Sequence, residues 1–159
     1  MEFRDSFTIP AEPERVWASM FDPDVMRQVL PGCRRLEQVD PVRFEVTLAA
    51  GIGALRGVFT GSVDFGDLDP PRRCALDVEA RGSLGRVSGR GVVNLTPDGI
   101  GTILVYDATF TFKGPMAGLG ETLMRSVASA LTREAMARFS ALVTRSSDGT
   151  PVDPQAISG

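Results

Sequence analysis

From Arg34 to Lys113 apolar and polar residues alternate almost without interruption, and that run decides most of what the chain can become. Period-two patterning marks strands with one face buried. Turn signals at Asp40-Pro41, Gly51 to Gly57, Asp69-Pro70-Pro71, Gly82 to Gly85 and Pro97-Asp98-Gly99 divide it into strands over 34–39, 43–51, 56–67, 72–81, 86–96 and 102–113. Strands joined this closely make an antiparallel meander. Phe44, Val46 and Leu48 begin its inward face, Phe59, Val63 and Phe65 continue it, and Cys74, Leu76 and Val78 follow. Val87, Val93, Leu95, Leu104, Tyr106, Phe110 and Phe112 complete it. Glu45, Asp64, Asp77, Glu79, Arg90 and Asp107 take the opposite, solvated face.

The flanks complete a recognisable order. Phe3, Phe7 and Ile9 alternate with polar residues in a first strand that Pro10 ends. Two short helices follow, one opened by Pro13 and one by Asp22-Pro23, with Gly32 as the stop of the second. After Lys113 the period changes. Met116, Leu119, Leu123, Val127, Leu131, Ala135, Phe139 and Leu142 recur every three or four residues, the stripe of one long helix over 114–145 that would span roughly 45 Å. The order predicts an α+β architecture: a curved seven-stranded antiparallel sheet around a long C-terminal helix, with two short helices between strands 1 and 2. One domain is expected over 1–145, and the composition of 146–159 is that of a disordered tail.

Small residues break the bulk of the inward face. Gly61, Ala80, Gly89, Gly91 and Ala108 lie among large neighbours, and the helix opens with Gly118 and Gly120. Both surfaces are thin towards the Gly51–Gly57 and Gly82–Gly85 hairpins, which predicts an apolar pocket there and solid core at the other end. Its expected walls are Leu48, Phe59, Val78, Tyr106, Met116, Leu119 and Leu123, with Trp17, Met26 and Leu30 of the short helices on the lid side. Close packing of backbone on backbone is the alternative explanation of the same glycines.

Composition narrows the chemistry. The 159 residues include no histidine, which removes Ser-His and Cys-His nucleophile pairs and the commonest metal ligand. Cys33 and Cys74 are too far apart in sequence for a Cys-x-x-Cys metal knuckle, so neither a metal nor a covalently bound cofactor is expected. A net charge of −3 argues against nucleic acid as a partner. The start MEFRDSFTIP lacks the apolar core of a signal peptide, and no run nears the roughly 18 apolar residues of a membrane span; a cytoplasmic location is expected.

Few side chains remain as candidates for catalysis. Tyr106, the single tyrosine, could donate to a ligand carbonyl or serve as a core aromatic with a satisfied hydroxyl. Asp5 alternates inward between Phe3 and Phe7, as a perturbed base or as a carboxylate on an exposed edge strand. GIGALRG lacks the lysine and the strand-to-helix setting of a phosphate loop and reads as a hairpin. The pairs Arg34-Arg35 and Arg72-Arg73 read as solvated strand ends. Cys33 follows Pro31-Gly32 with no base to activate it, which makes the stretch a joint between helix and sheet.

Several of these stretches together resemble the CoxG family of carbon monoxide dehydrogenase, within the START/Bet v 1-like (SRPBCC) superfamily. The carriers are IPAEPERVWASMFDPDVM, LPGC at Leu30–Cys33 and GALRGVFTGSV at Gly53–Val63. GRGVVNLTP from Gly89 and GPMAGLG at Gly114–Gly120 complete them, and the likeness runs from about Phe3 to Leu142. The resemblance implies a helix-grip fold with an apolar cavity and a non-enzymatic accessory role beside a molybdenum hydroxylase of the carbon monoxide dehydrogenase type. In that role the protein would recruit the enzyme to the inner face of the cell membrane, as a peripheral contact, or hold a quinone-like or lipid-like molecule for its electrons. The superfamily also implies two alternatives, a polyketide cyclase or aromatase acting in the same cavity and a pure protein-interaction module. Val152 and Ile157 are the only large apolar groups after Arg145, so the family label does not by itself establish membrane attachment.

Overall fold

The computed structural model describes residues 1–52 and 54–148. Seven strands, β1 (Glu2–Ile9), β2 (Cys33–Asp40), β3 (Arg43–Ile52), β4 (Leu55–Asp69), β5 (Arg73–Gly82), β6 (Gly85–Asp98) and β7 (Gly101–Lys113), form one antiparallel sheet. The order β1-β7-β6-β5-β4-β3-β2 follows from hairpins between consecutive strands, with β1 returning beside β7. The strands agree with the alternation of the sequence, most of them extended by a few residues into their hairpins.

Register carries the alternation across the sheet. Val46 opposes Gly61, Gly61 opposes Ala80, Ala80 opposes Val87 and Val87 opposes Phe112, so one inward row crosses five strands. Outward rows hold the ion pairs Arg43–Asp64, Arg90–Asp77 and Arg4–Asp107, whose exposed geometry contributes little to stability.

The helices α1 (Pro13–Met20) and α2 (Pro23–Val29) begin as the prolines and Asp22 predict. The Asp22 carboxylate accepts from the Asp24 amide at 2.9 Å and caps α2. The third helix departs from expectation. Residues 114–145 do not form one helix: a 3-10 turn (Pro115–Leu119) comes first, Gly120 sits at φ 91°, and α3 (Glu121–Asp148) starts beyond it. A left-handed residue cannot continue an α-helix, so Gly120 resets the helical phase. The inward stripe moves accordingly. Met124, Phe139 and Val143 are buried, whereas Leu131 remains 39% exposed. The helix of 28 residues spans about 42 Å and reaches Asp148, past the expected end of the domain at 145. The rest of the stretch expected as a tail, 149–159, lies outside the described residues.

Two clusters fill the space between helix and sheet. The larger joins Ile9, Val16, Val29, Cys74, Val93, Leu95 and Leu104 to Phe139 and Val143 of α3. The smaller gathers Phe59, Leu84, Met116 and Met124 at the hairpin end. Arg125 ties α3 to the sheet edge, donating to the Glu2 carbonyl at 2.7 Å with its guanidinium 5.0 Å from the Phe3 ring centroid. Among the described residues no helix is long and apolar enough to cross a membrane.

Candidate functional site

Between the two clusters lies an apolar cavity of about 370 Å³. Leu48, Ala50, Phe59, Val78, Val87 and Phe112 supply the sheet wall, and Met116 closes the end near the hairpins. From α3 come Met124, Val127, Ala128 and Leu131, spaced i, i+3, i+4 and i+7, which places them on one helical face. Leu30 approaches from the end of α2, and the exposure of Leu131 brings the rim into solvent. Ser62 and Glu79 also border the space, but they alternate to the outer face, so it is their backbone that does so.

Five of the ten residues expected in the wall are there: Leu30, Leu48, Phe59, Val78 and Met116. Leu119 and Leu123 pack instead behind the wall with the smaller cluster, because the break at Gly120 turns Met124 inward. Trp17 and Met26 do not form a lid, and both belong to the solid cluster. Trp17 meets Phe21 at 5.1 Å between centroids, Phe21 meets Phe65 at 4.7 Å, and Phe65 meets Phe44 at 5.9 Å. This chain of rings fills the gap between α1 and the sheet.

The glycines divide between the two explanations. Gly61 and Ala80 border the cavity. Yet a Cβ on Gly61 would fall 1.9 Å from the Glu79 carbonyl oxygen, so the close approach of β5 requires glycine there as well. Gly89, Gly91 and Ala108 do not line the space. The Phe110 ring covers Gly89 and would sit 2.2 Å from its Cβ, and Gly91 faces Ala108. Sequence reasoning missed Ala50, Val87, Phe112, Met124, Val127 and Ala128 in the wall. Starting the helix after Gly120 would have revealed the last three, since the phase then aligns them.

Tyr106 also lies outside the cavity wall. Its ring stacks on Phe7 at 6.3 Å and its phenol faces the Thr132 hydroxyl, which itself donates to the Ala128 carbonyl at 2.8 Å. Burial raises the phenol pKa, the contact with Thr132 lowers it, and the Asp5 charge adds to the rise. A phenol held protonated against α3 is a core aromatic with a partner. Asp5 is exposed on the edge strand β1 and accepts from the Ser6 amide.

Both cysteines are free. Cys74 is fully buried, and burial pushes its thiol up to about 11, countered in part by Arg73. Cys33 opens β2 opposite Leu48, with its amide bonded to the Leu30 carbonyl. Among the described residues there is no group of three or more His, Cys, Asp or Glu arranged to hold a metal ion.

A family model for CoxG, the G-type component of carbon monoxide dehydrogenase, matches residues 6–144. The chain belongs to the CoxG family. Among solved structures, a conserved protein from Geobacillus kaustophilus superposes with TM-score 0.87 at 26% identity, covering 92% of this chain and 97% of that one. A START superfamily protein from Mycobacterium smegmatis superposes with TM-score 0.68 at 13% identity, covering 90% of this chain and 97% of that one. The Zhui aromatase/cyclase of Streptomyces sp. R1128 gives TM-score 0.70 at 16% identity, with 94% and 99% covered. The last two establish a shared START-like, helix-grip fold and nothing about chemistry. No curated protein sequence matches the chain.

The two motifs most characteristic of the CoxG resemblance sit at corners of the cavity. In LPGC, Leu30 reaches the wall while the carbonyl of Gly32, a residue at φ 72°, accepts from the Ala49 amide at 2.9 Å and joins α2 to the sheet. In GPMAGLG, Met116 is fully buried, and its amide donates to the Leu84 carbonyl at 2.9 Å.

Proposed function

We propose that this CoxG-family chain is a non-enzymatic accessory protein that holds a lipophilic molecule, quinone-like or lipid-like, in the cavity between α3 and β3–β7. It would serve a carbon monoxide dehydrogenase-type molybdenum hydroxylase, as a peripheral recruit to the inner face of the cell membrane or as a deliverer of the electron acceptor. The observation that carries the reading is the wall itself: about 370 Å³ bounded by aliphatic, methionine and phenylalanine side chains. At about 24 cal/mol per Å³, a bare apolar void of this volume would cost up to about 9 kcal/mol. That upper figure is comparable with the whole stability of a domain. An apolar guest relieves the cost and recovers about 25 cal/mol for each Å² it removes from water. Among the described residues no titratable side chain faces the cavity, which supports holding over catalysis.

The test is extraction. Protein purified from cells without detergent is denatured in organic solvent, and the released molecules are identified by mass spectrometry against the variant Ala128→Phe. Stoichiometric apolar material in the wild type and its loss in the variant are expected. Absence of any retained molecule, together with failure to take up added quinone or lipid, overturns the reading.

A further inference from the structure

The hairpin end carries a second concavity, on the outer face of the sheet, with a composition unlike that of the apolar cavity. It is lined by Arg81, Arg86 and Lys113 and by Gly82, Gly85 and Gly114. Three cations and three glycines meet there, with no carboxylate among the lining residues.

Strand register creates the cluster. Arg81 opposes Arg86, and Arg86 opposes Lys113, so three like charges stand directly across adjacent strands. Such neighbours repel unless acids separate them. Among the described residues none of the three makes an ion pair, although eight ion pairs form elsewhere and Glu79 lies two positions before Arg81 on the same face. All three are exposed. The chain as a whole is acidic, at −3, so this concentration of positive charge runs against its average.

The floor is bare backbone for a steric reason. A Cβ on Gly85 would lie 2.0 Å from the Lys113 carbonyl oxygen, and one on Gly82 would lie 2.1 Å from the Val58 carbonyl oxygen. Gly85 and Gly114 have φ of 131° and 88°, conformations that favour glycine. Glycine-lined turns with cationic walls accept tetrahedral oxyanions well, because arginine presents paired donors and no side chain blocks approach.

We propose that Arg81, Arg86 and Lys113, over the Gly82–Gly85–Gly114 floor, form a recognition site for a phosphate group. The site is separate from the apolar cavity. Ala80, Val87 and Phe112, neighbours of the three cations in sequence, line the cavity on the opposite face of the same strand ends. Phosphate recognition here does not depend on whether the cavity holds a quinone or lipid. A phosphate can arrive free, as a soluble ester, or as a lipid headgroup, and the chemistry of recognition is the same.

The experiment titrates inorganic phosphate into the full chain at pH 7, following backbone amide signals by NMR, with chloride at matched ionic strength as reference. Saturable shifts of the Gly85 and Gly114 amides are expected. Arg86→Gln should weaken binding roughly tenfold or more, the loss of one charge-assisted pair, whereas Arg15→Gln on α1 leaves it unchanged. Both substitutions are at exposed positions, and removing a like charge at Arg86 should leave the melting temperature in phosphate-free buffer equal or higher. A second arm measures cosedimentation with phosphatidylglycerol and with phosphatidylcholine vesicles. Phosphate shifts with sedimentation on phosphatidylglycerol that Arg86→Gln abolishes identify a lipid headgroup; phosphate shifts without sedimentation identify a soluble ester. Absence of phosphate shifts beyond chloride, equal shifts in Arg86→Gln, or vesicle binding without phosphate shifts overturns the site.

Discussion

Substituting Ala128 by phenylalanine tests the hollow half of the molecule against the solid half. Ala128 lies on α3 in the cavity wall. A cavity of about 370 Å³ exceeds several-fold the roughly 30 Å³ share of a liquid water molecule, so a phenyl ring enters without displacing the sheet. Burying that ring is worth about 1.5–3 kcal/mol. Phenylalanine in a helix costs up to about 0.7 kcal/mol relative to alanine. The net gain is about 1–2 kcal/mol for the ligand-free protein, or roughly 2–8 °C in melting temperature for a chain of this size. The matched control is Cys74→Phe, in the solid cluster at 0% exposure. Overpacking there should cost about 1–3 kcal/mol. Thermal unfolding by circular dichroism, on delipidated protein, reads both. Opposite signs are expected, accompanied by loss of retained ligand in Ala128→Phe alone. If Ala128→Phe destabilises as much as Cys74→Phe, the space is not available to a side chain and is no binding cavity.

Tyr106→Phe should lower stability by at most about 1 kcal/mol and leave ligand retention unchanged, since the phenol faces Thr132 and not the cavity; altered retention would return Tyr106 to the site. The raised pKa values also set an alkaline limit. Cys74, pushed up to about 11 from an ordinary 9.0, stays protonated in the folded state while the unfolded thiol ionises. Its contribution to stability is therefore complete below pH 9 and lost as pH rises towards 11, and the buried phenol of Tyr106 acts in the same direction. Denaturant melts between pH 8 and 11 should show this fall, reduced in Cys74→Ala. In native protein a thiol reagent should modify Cys33 and spare Cys74 until the fold opens.

The sheet was legible because alternation is local. Phe44, Val46 and Leu48 point one way and Arg43, Glu45 and Thr47 the other whatever the fold around them. Five cavity residues were legible for the same reason. Helix phase was less secure, since Met116 and Leu119 fit the stripe by spacing while Gly120, a single left-handed residue, moves them out of register with α3. Small residues were ambiguous by nature. Absence of a side chain is the same signal whether space remains, as beside Ala80, or a neighbour's ring fills it, as Phe110 fills the place over Gly89.

Sequence alone thus determined the meander, the antiparallel order of its hairpins and the absence of histidine chemistry, because each depends on residue type and near neighbours. Tertiary structure decided which side chains share a space. The chain of Trp17, Phe21, Phe65 and Phe44 turned an expected lid into solid core. Register set Arg81, Arg86 and Lys113 side by side from three strands. Both outcomes depend on contacts between residues distant in sequence, which periodicity cannot encode.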